Sequence, residues 1–207
     1  MADLRVTPGR AGRMRLRRSL DAATRGADLL DRKLRILRAR HEELLRAERD
    51  CAERWRRRLR EAEVWLRRGL LLSGEDALDV PEAGQHATVD VAWTSTMGVR
   101  HPLSAVCVVP ERDSAAPAPA NTALARAESA YADAVRAAAE YAAARAAARA
   151  LGEEILTTRR RTRALRRQWI PRLENALDRT DALLEQAEHE DAVRRRWAAG
   201  LSDTDGT

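Results

Sequence analysis

The sequence predicts an all-α protein: a long antiparallel two-helix coiled coil carrying a small central β-hairpin. Three observations point there. Apolar residues recur at alternating spacings of three and four along both ends of the chain. Five of the seven prolines fall in the stretch between those ends. The composition is helical: Phe is absent, aromatics are 3%, charged residues are 34%, and Ala and Leu supply most of the 44% hydrophobic fraction. Such a chain closes along narrow seams, whereas a broad core needs bulky aromatic and β-branched side chains. A doubly wound sheet, a β-sandwich or a TIM barrel does not fit.

The first element is expected over 8–73. Thr7 can cap it and Pro8 can occupy its first helical position. Its seam runs Leu16, Leu20, Ala23, Ala27, Leu30, Leu34, Leu37, His41, Leu44, Glu48, Cys51 and Trp55. The phase then slips by one residue and resumes through Leu59, Ala62 and Leu66, as an insertion in a heptad pattern does. Ser73-Gly74 is the stop.

Residues 74–121 form a central insertion. Val-rich TVDVAW (88–93) and LSAVCVV (103–109) read as strands, with TSTMGVRHP between them. The second long helix is expected over 122–199, capped by Asn121 or Thr122. Its seam runs Leu124, Ala127, Tyr131, Ala134, Ala138, Tyr141, Arg145, Ala148, Gly152 and Ile155, then Thr158, Thr162, Leu165 and Trp169. Pro171 is expected to bend this helix without ending it, because Leu173, Ala176, Leu177, Thr180, Leu183, Leu184 and Ala187 continue the stripe. Residues 200–207 read as a disordered tail.

Folding the two seams together gives helices of roughly 100 Å at 1.5 Å per residue. Facing positions are expected to add to about 199, pairing Leu20 with Thr180, Leu34 with Leu165, Leu44 with Ile155 and Leu66 with Ala134. Arg159, Arg160, Arg161, Arg163, Arg166 and Arg167 would then lie beside Arg32, Lys33, Arg35, Arg38 and Arg40 as a basic collar. The plainer alternative is that several of these arginines pair with nearby Glu153 and Glu154. A second basic cluster comprises Arg10, Arg13, Arg15, Arg17 and Arg18.

The net charge is +6, and Lys33 is the only lysine. Residues 1–72 carry 21 basic and 11 acidic groups, so the excess sits at the N-terminal end. Such a bias calls for an acidic partner, or is simply a solvated helix face. Cys51 and Cys107 show no zinc or redox spacing. No apolar run approaches a membrane span, and the N-terminus lacks the apolar core of a signal peptide. There is no Gly-rich phosphate loop, no second His to complete a zinc helix after His41, and no convincing carboxylate pair. No catalytic residue, cofactor or metal site is expected.

Three blocks carry a resemblance to a known family. They are RVTPGR with the following Arg/Leu helix, Met97-Gly98-Val99-Arg100-His101-Pro102, and Thr158–Arg161 with Ala164-Leu165 followed by Ile170–Asn175 (IPRLEN). In these the chain resembles the D subunit of V-type/A-type ATP synthases, the central rotor shaft, over most of residues 5–197.

The resemblance implies a non-catalytic protein that transmits torque between the catalytic ring and proton or sodium transport. Its implied partners are the catalytic A and B subunits, the F subunit of the stalk and the cap of the membrane ring, on the cytoplasmic face of the cell membrane. Nucleic acid and direct membrane insertion are not expected. Arg10, Arg13, Arg17, Arg159, Arg160, Arg163, Arg167 and Arg172 are the candidate bearing residues. Met97, Gly98, Val99 and Pro102 are the candidate hairpin residues. The competing classes are a basic coiled-coil nucleic-acid binder, whose affinity would fall steeply with salt, and a generic scaffold.

Overall fold

The computed structural model describes residues 9–78, 86–112 and 118–204, without the side chains of 199–204. Helix α1 spans Arg10–Ser73. Strands β1 (Thr88–Thr96) and β2 (Val99–Val108) form an antiparallel pair. Helix α2 spans Thr122–Ala164, a π-helical turn follows over Leu165–Trp169, and α3 spans Ile170–Thr204. The architecture is two long helical arms, paired as a coiled coil, with a small two-stranded sheet between them.

Each boundary has a local cause. Gly9, at φ 92, offers its carbonyl to the N–H of Arg13 at 3.2 Å and opens α1. The expected caps Thr7 and Pro8 lie outside the described residues. Gly74, at φ 75, closes α1 by donating its N–H to Leu70 O at 2.8 Å, since glycine adopts this left-handed conformation without a Cβ clash. Asn121 rather than Thr122 caps α2: its Oδ1 accepts the N–H of Leu124 at 2.8 Å. Of the tail expected over 200–207, residues 205–207 lie outside the described residues.

The chain forms two compact units. One joins the first part of α1, through Leu34, to the chain from Thr157 onward; the other is Arg35–Leu156. In the first unit Leu16, Ala23, Leu173 and Ala176 are buried together, with Leu20, Ile170 and Leu177 against them. Three buried threonines, Thr158, Thr162 and Thr180, share this seam. Thr162 donates its hydroxyl to Thr158 O at 3.0 Å and Thr180 donates to Ala176 O at 2.8 Å. These two hydroxyls are satisfied within their own helix.

The expected seam of α1 is buried or half-buried at every position from Leu16 to Leu66. The phase slip falls at Cys51-Ala52: Ala52 is 5% exposed, and the seam continues from it through Trp55 and Leu59. In α2 the seam differs from expectation. Arg145 is exposed, and Ala144, Ala148 and Leu151 carry the stripe in its place, with Leu151 fully buried. A guanidinium gains nothing from a dry seam; that of Arg145 lies over the Tyr141 ring at 6.0 Å.

The register in the second unit also differs. A Cβ on Gly152 would lie 3.2 Å from His41 Nε2, and one on Gly69 would lie 2.5 Å from Leu124 Cδ2. These pairs both add to 193, about six residues below the expected register. Two seams of repeating Leu and Ala slide by almost a heptad with little change in apolar contact. Special contacts tie the two helices together in this unit. Trp55 stacks on Tyr141 with centroids 5.4 Å apart. Asn121 Nδ2 donates to Gly69 O at 3.0 Å and to Ser73 Oγ at 2.5 Å, tying the end of α1 to the start of α2.

Pro171 neither ends nor breaks the helical arm. The N–H of Ile170 bonds Leu165 O, a five-residue step, so the turn before the proline is widened. An α-turn would press the proline ring onto the carbonyl four residues back; the wider turn accommodates it. The extra residue shifts the seam. Trp169, expected inside, is 40% exposed, and Ile170 takes the inward place.

Candidate partner-binding surfaces

The hairpin is longer than expected, because TSTMGVRHP pairs across itself. Thr94 faces His101, Ser95 faces Arg100, and Thr96 faces Val99. The connection is the two residues Met97 (φ 52) and Gly98 (φ 83). Positive φ at both positions makes a type I′ turn, whose twist matches that of the strands. Between Ala92 and Trp93 the register shifts, leaving Leu103 as an extra residue beside Pro102. A proline has no N–H for the ladder, which suits it to a bulge.

The two strands have different surroundings. β2 buries His101, Pro102, Ala105 and Cys107, whereas β1 has no buried residue. His101 is 1% exposed; its Nδ1 contacts Pro102 O at 2.9 Å and its Nε2 contacts the Thr96 hydroxyl at 3.0 Å. The carbonyl can only accept, so Nδ1 carries the proton and Nε2 accepts from Thr96. Val89, Val91 and Trp93 lie exposed along β1, with the Arg100 guanidinium over the Trp93 ring at 4.8 Å. Of the four candidate hairpin residues, Met97 and Gly98 form the exposed tip, Val99 is half-buried and Pro102 is buried.

The candidate bearing arginines all belong to the first unit and fall into two groups. Arg10 and Arg13 are engaged with α3: Arg10 Nη2 lies 2.8 Å from Glu188 Oε1, and Arg13 Nε lies 2.6 Å from Asp181 Oδ1. Arg17 is exposed on the same helix. Arg159, Arg160, Arg163, Arg167 and Arg172 are exposed, and none of the ion pairs described for this stretch involves them. The two groups occupy separate turns, since the carboxylates that meet Arg10 and Arg13 lie well beyond Arg172 along α3.

The collar differs in one respect from expectation. Arg166 lies 3.1 Å from Asp28 Oδ1 and 2.6 Å from Asp31 Oδ2, so α1 presents carboxylates to this stretch. Glu153, one of the two alternative partners for the collar, meets Arg149 at 3.9 Å. Arg166 is thereby a brace, while its neighbours are left to the surface. Sequence spacing did not signal this, because Asp28 and Asp31 are two of several carboxylates along α1.

Other ion pairs hold the second unit. Arg54 meets Glu140 at 3.1 Å and lies 3.1 Å from the Cys51 thiol; the hydrogen bond to Glu140 and the charge near Cys51 raise its pKa further. Arg112 grips both oxygens of Glu128, at 2.6 and 3.1 Å, and its pKa is raised by that bond. Both arginines are charged at any working pH and act as fixed cations.

Among the described residues no group of three or more His, Cys, Asp or Glu side chains is placed to hold a metal ion. No described helix is long and apolar enough to cross a membrane. What the surface offers is exposed guanidinium and an apolar hairpin, both suited to protein partners. The family model for the D subunit of ATP synthase matches residues 13–200. No curated protein matches the chain.

Proposed function

The chain belongs to the D-subunit family of ATP synthase, a stalk component of a rotary ATPase, and from that premise we propose that it is the central rotor shaft of a V/A-type complex. It transmits torque between ATP turnover in the catalytic A and B subunits and proton or sodium transport at the membrane. It carries no catalytic chemistry of its own and works on the cytoplasmic face of the cell membrane. The F subunit and the cap of the membrane ring are its stalk partners.

The observation that carries this reading is the family match across the paired helices and the hairpin together. A shaft needs continuous helices, and α1 runs without a break through 64 residues. The arginines at 159, 160, 163, 167 and 172 are the bearing surface in this proposal, with Arg17. Exposed guanidinium makes weak, long-range contacts with acidic loops, each worth about 0–1 kcal/mol. Such contacts let a surface turn without locking. Arg10 and Arg13, being paired within the chain, serve to hold α1 against α3. The hairpin tip at Met97 and Gly98 serves as a docking element, with Val99 and Pro102 supporting it from below.

A tagged pull-down from detergent-solubilised native membranes, with ATPase assay of the eluate, tests the proposal. Co-purification of catalytic and stalk subunits with ATPase activity is the expected result. Recovery of the chain alone, or with nucleic acid that salt releases, overturns it. The bearing surface has its own test: Arg160→Gln, Arg163→Gln and Arg167→Gln together should lower coupling between ATPase and ion transport while assembly persists. Full coupling in the assembled variant would refute that role.

A further inference from the structure

α1 carries three consecutive leucines just before its last residue, Ser73. Leu70 is half-buried, but Leu71 is 87% exposed and Leu72 is 72% exposed. Leu71 and Leu72, with Trp65, Thr122 and Ala123, line a shallow groove of about 650 Å³ between the end of α1 and the start of α2. Among the described residues, the charged side chains that line it are Arg68 and Arg126. Arg68 is held over the Trp65 ring at 4.8 Å, which fixes one flank. The Asn121 bridge to Gly69 and Ser73 fixes the two helix ends that form the walls. The groove is therefore built in advance of any occupant.

We infer that this groove docks an acidic amphipathic helix from another stalk subunit. The inference rests on the stalk reading above and names a surface and a partner chemistry for it. Two adjacent helix ends leave a furrow into which the apolar ridge of a third helix packs. The flanking guanidinium groups then meet carboxylates on the rim of that helix, and guanidinium favours such pairing because of its planar fork. A lipid surface fits less well. Polybasic membrane sites gather about four to eight cations, whereas two flank this groove.

The test uses the full-length chain and each remaining stalk subunit of the complex, purified separately as probes. Two variants are made: Leu71→Ser with Leu72→Ser, and Arg68→Glu with Arg126→Glu. All four residues are at the surface, and unchanged far-UV circular dichroism will check the fold. One probe subunit should bind the natural chain, and each variant should weaken that binding at least tenfold. The arginine variant's defect should shrink in high salt.

The inference falls if no stalk subunit binds, or if binding is unchanged in both variants. It also falls if the leucine variant instead abolishes self-association or binding to phosphatidylserine vesicles. A chain that recovers catalytic subunits and ATPase activity, yet shows no groove dependence, leaves the rotor reading standing and removes only the groove. A chain that recovers no ATPase subunits removes the rotor reading itself.

Discussion

Glycine has opposite meanings at two places in one helix. Gly26 has nothing within 4 Å of where a Cβ would sit, whereas Gly69 has Leu124 Cγ at 2.6 Å and the Leu124 backbone nitrogen at 3.1 Å. Gly26→Ala should therefore raise stability by about 1 kcal/mol, the helix-propensity difference. Gly69→Ala should lower it by about 1–2 kcal/mol, since overpacking outweighs that gain. Urea unfolding of the two variants side by side checks the signs. Met97 supplies a third residue-scale expectation. It holds φ 52, a conformation that asparagine tolerates better than methionine does. Met97→Asn should stabilise the hairpin by about 0.5–1 kcal/mol, read as slower amide exchange in β1 and β2. The sequence made Gly98 legible as a turn residue, but not Met97 beside it. A Met-Gly pair is a weak turn signal, whereas Asn-Gly is a strong one. The role of Arg166 was hidden for another reason: which of six nearby arginines reaches Asp28 and Asp31 depends on register, and register is a tertiary property.

At the scale of elements, periodicity gave the helices and most of the α1 seam, because apolar spacing reports burial directly. It could not fix the register, since a seam of repeated Leu and Ala has nearly equivalent alignments about a heptad apart. The tight Gly69–Leu124 contact and the approach of Gly152 to His41 choose between them. The α2 phase was misread at Arg145 for a related reason: in an Ala-rich helix several faces look equally apolar. The wide turn at Leu165–Trp169 lay outside what spacing can show, because the proline signalled a bend and not an added residue. A double-mutant cycle tests the link. Deleting Gln168, exposed in the turn, should return the segment to an α-turn and set Pro171 against a carbonyl, at a cost of about 3 kcal/mol. Adding Pro171→Ala to that deletion should recover most of the loss. Strictly additive thermal denaturation results would break the proposed connection.

For the molecule as a whole, the helices and the hairpin rest on different pairings. The helices pack through their own seams, and the hairpin through β1–β2 pairing and the buried side of β2. Excising 88–109 should leave the helical circular dichroism signal per helical residue unchanged, while ATPase rate or subunit binding in the reconstituted complex changes. Collapse of the helical signal would show the arms to depend on the hairpin. Function at this scale was legible only through family resemblance, since neither composition nor charge distinguishes a shaft from any other basic coiled coil. The widened turn before Pro171 carries a consequence for descent. One arm of the pair holds a residue that the seven-residue count does not require, and five residues suffice to absorb it. A single-codon insertion could thus enter a long paired helix without scrambling either side. Family members that lack a proline at this position should be one residue shorter here, and an alignment of the family would display that vanished codon as a gap.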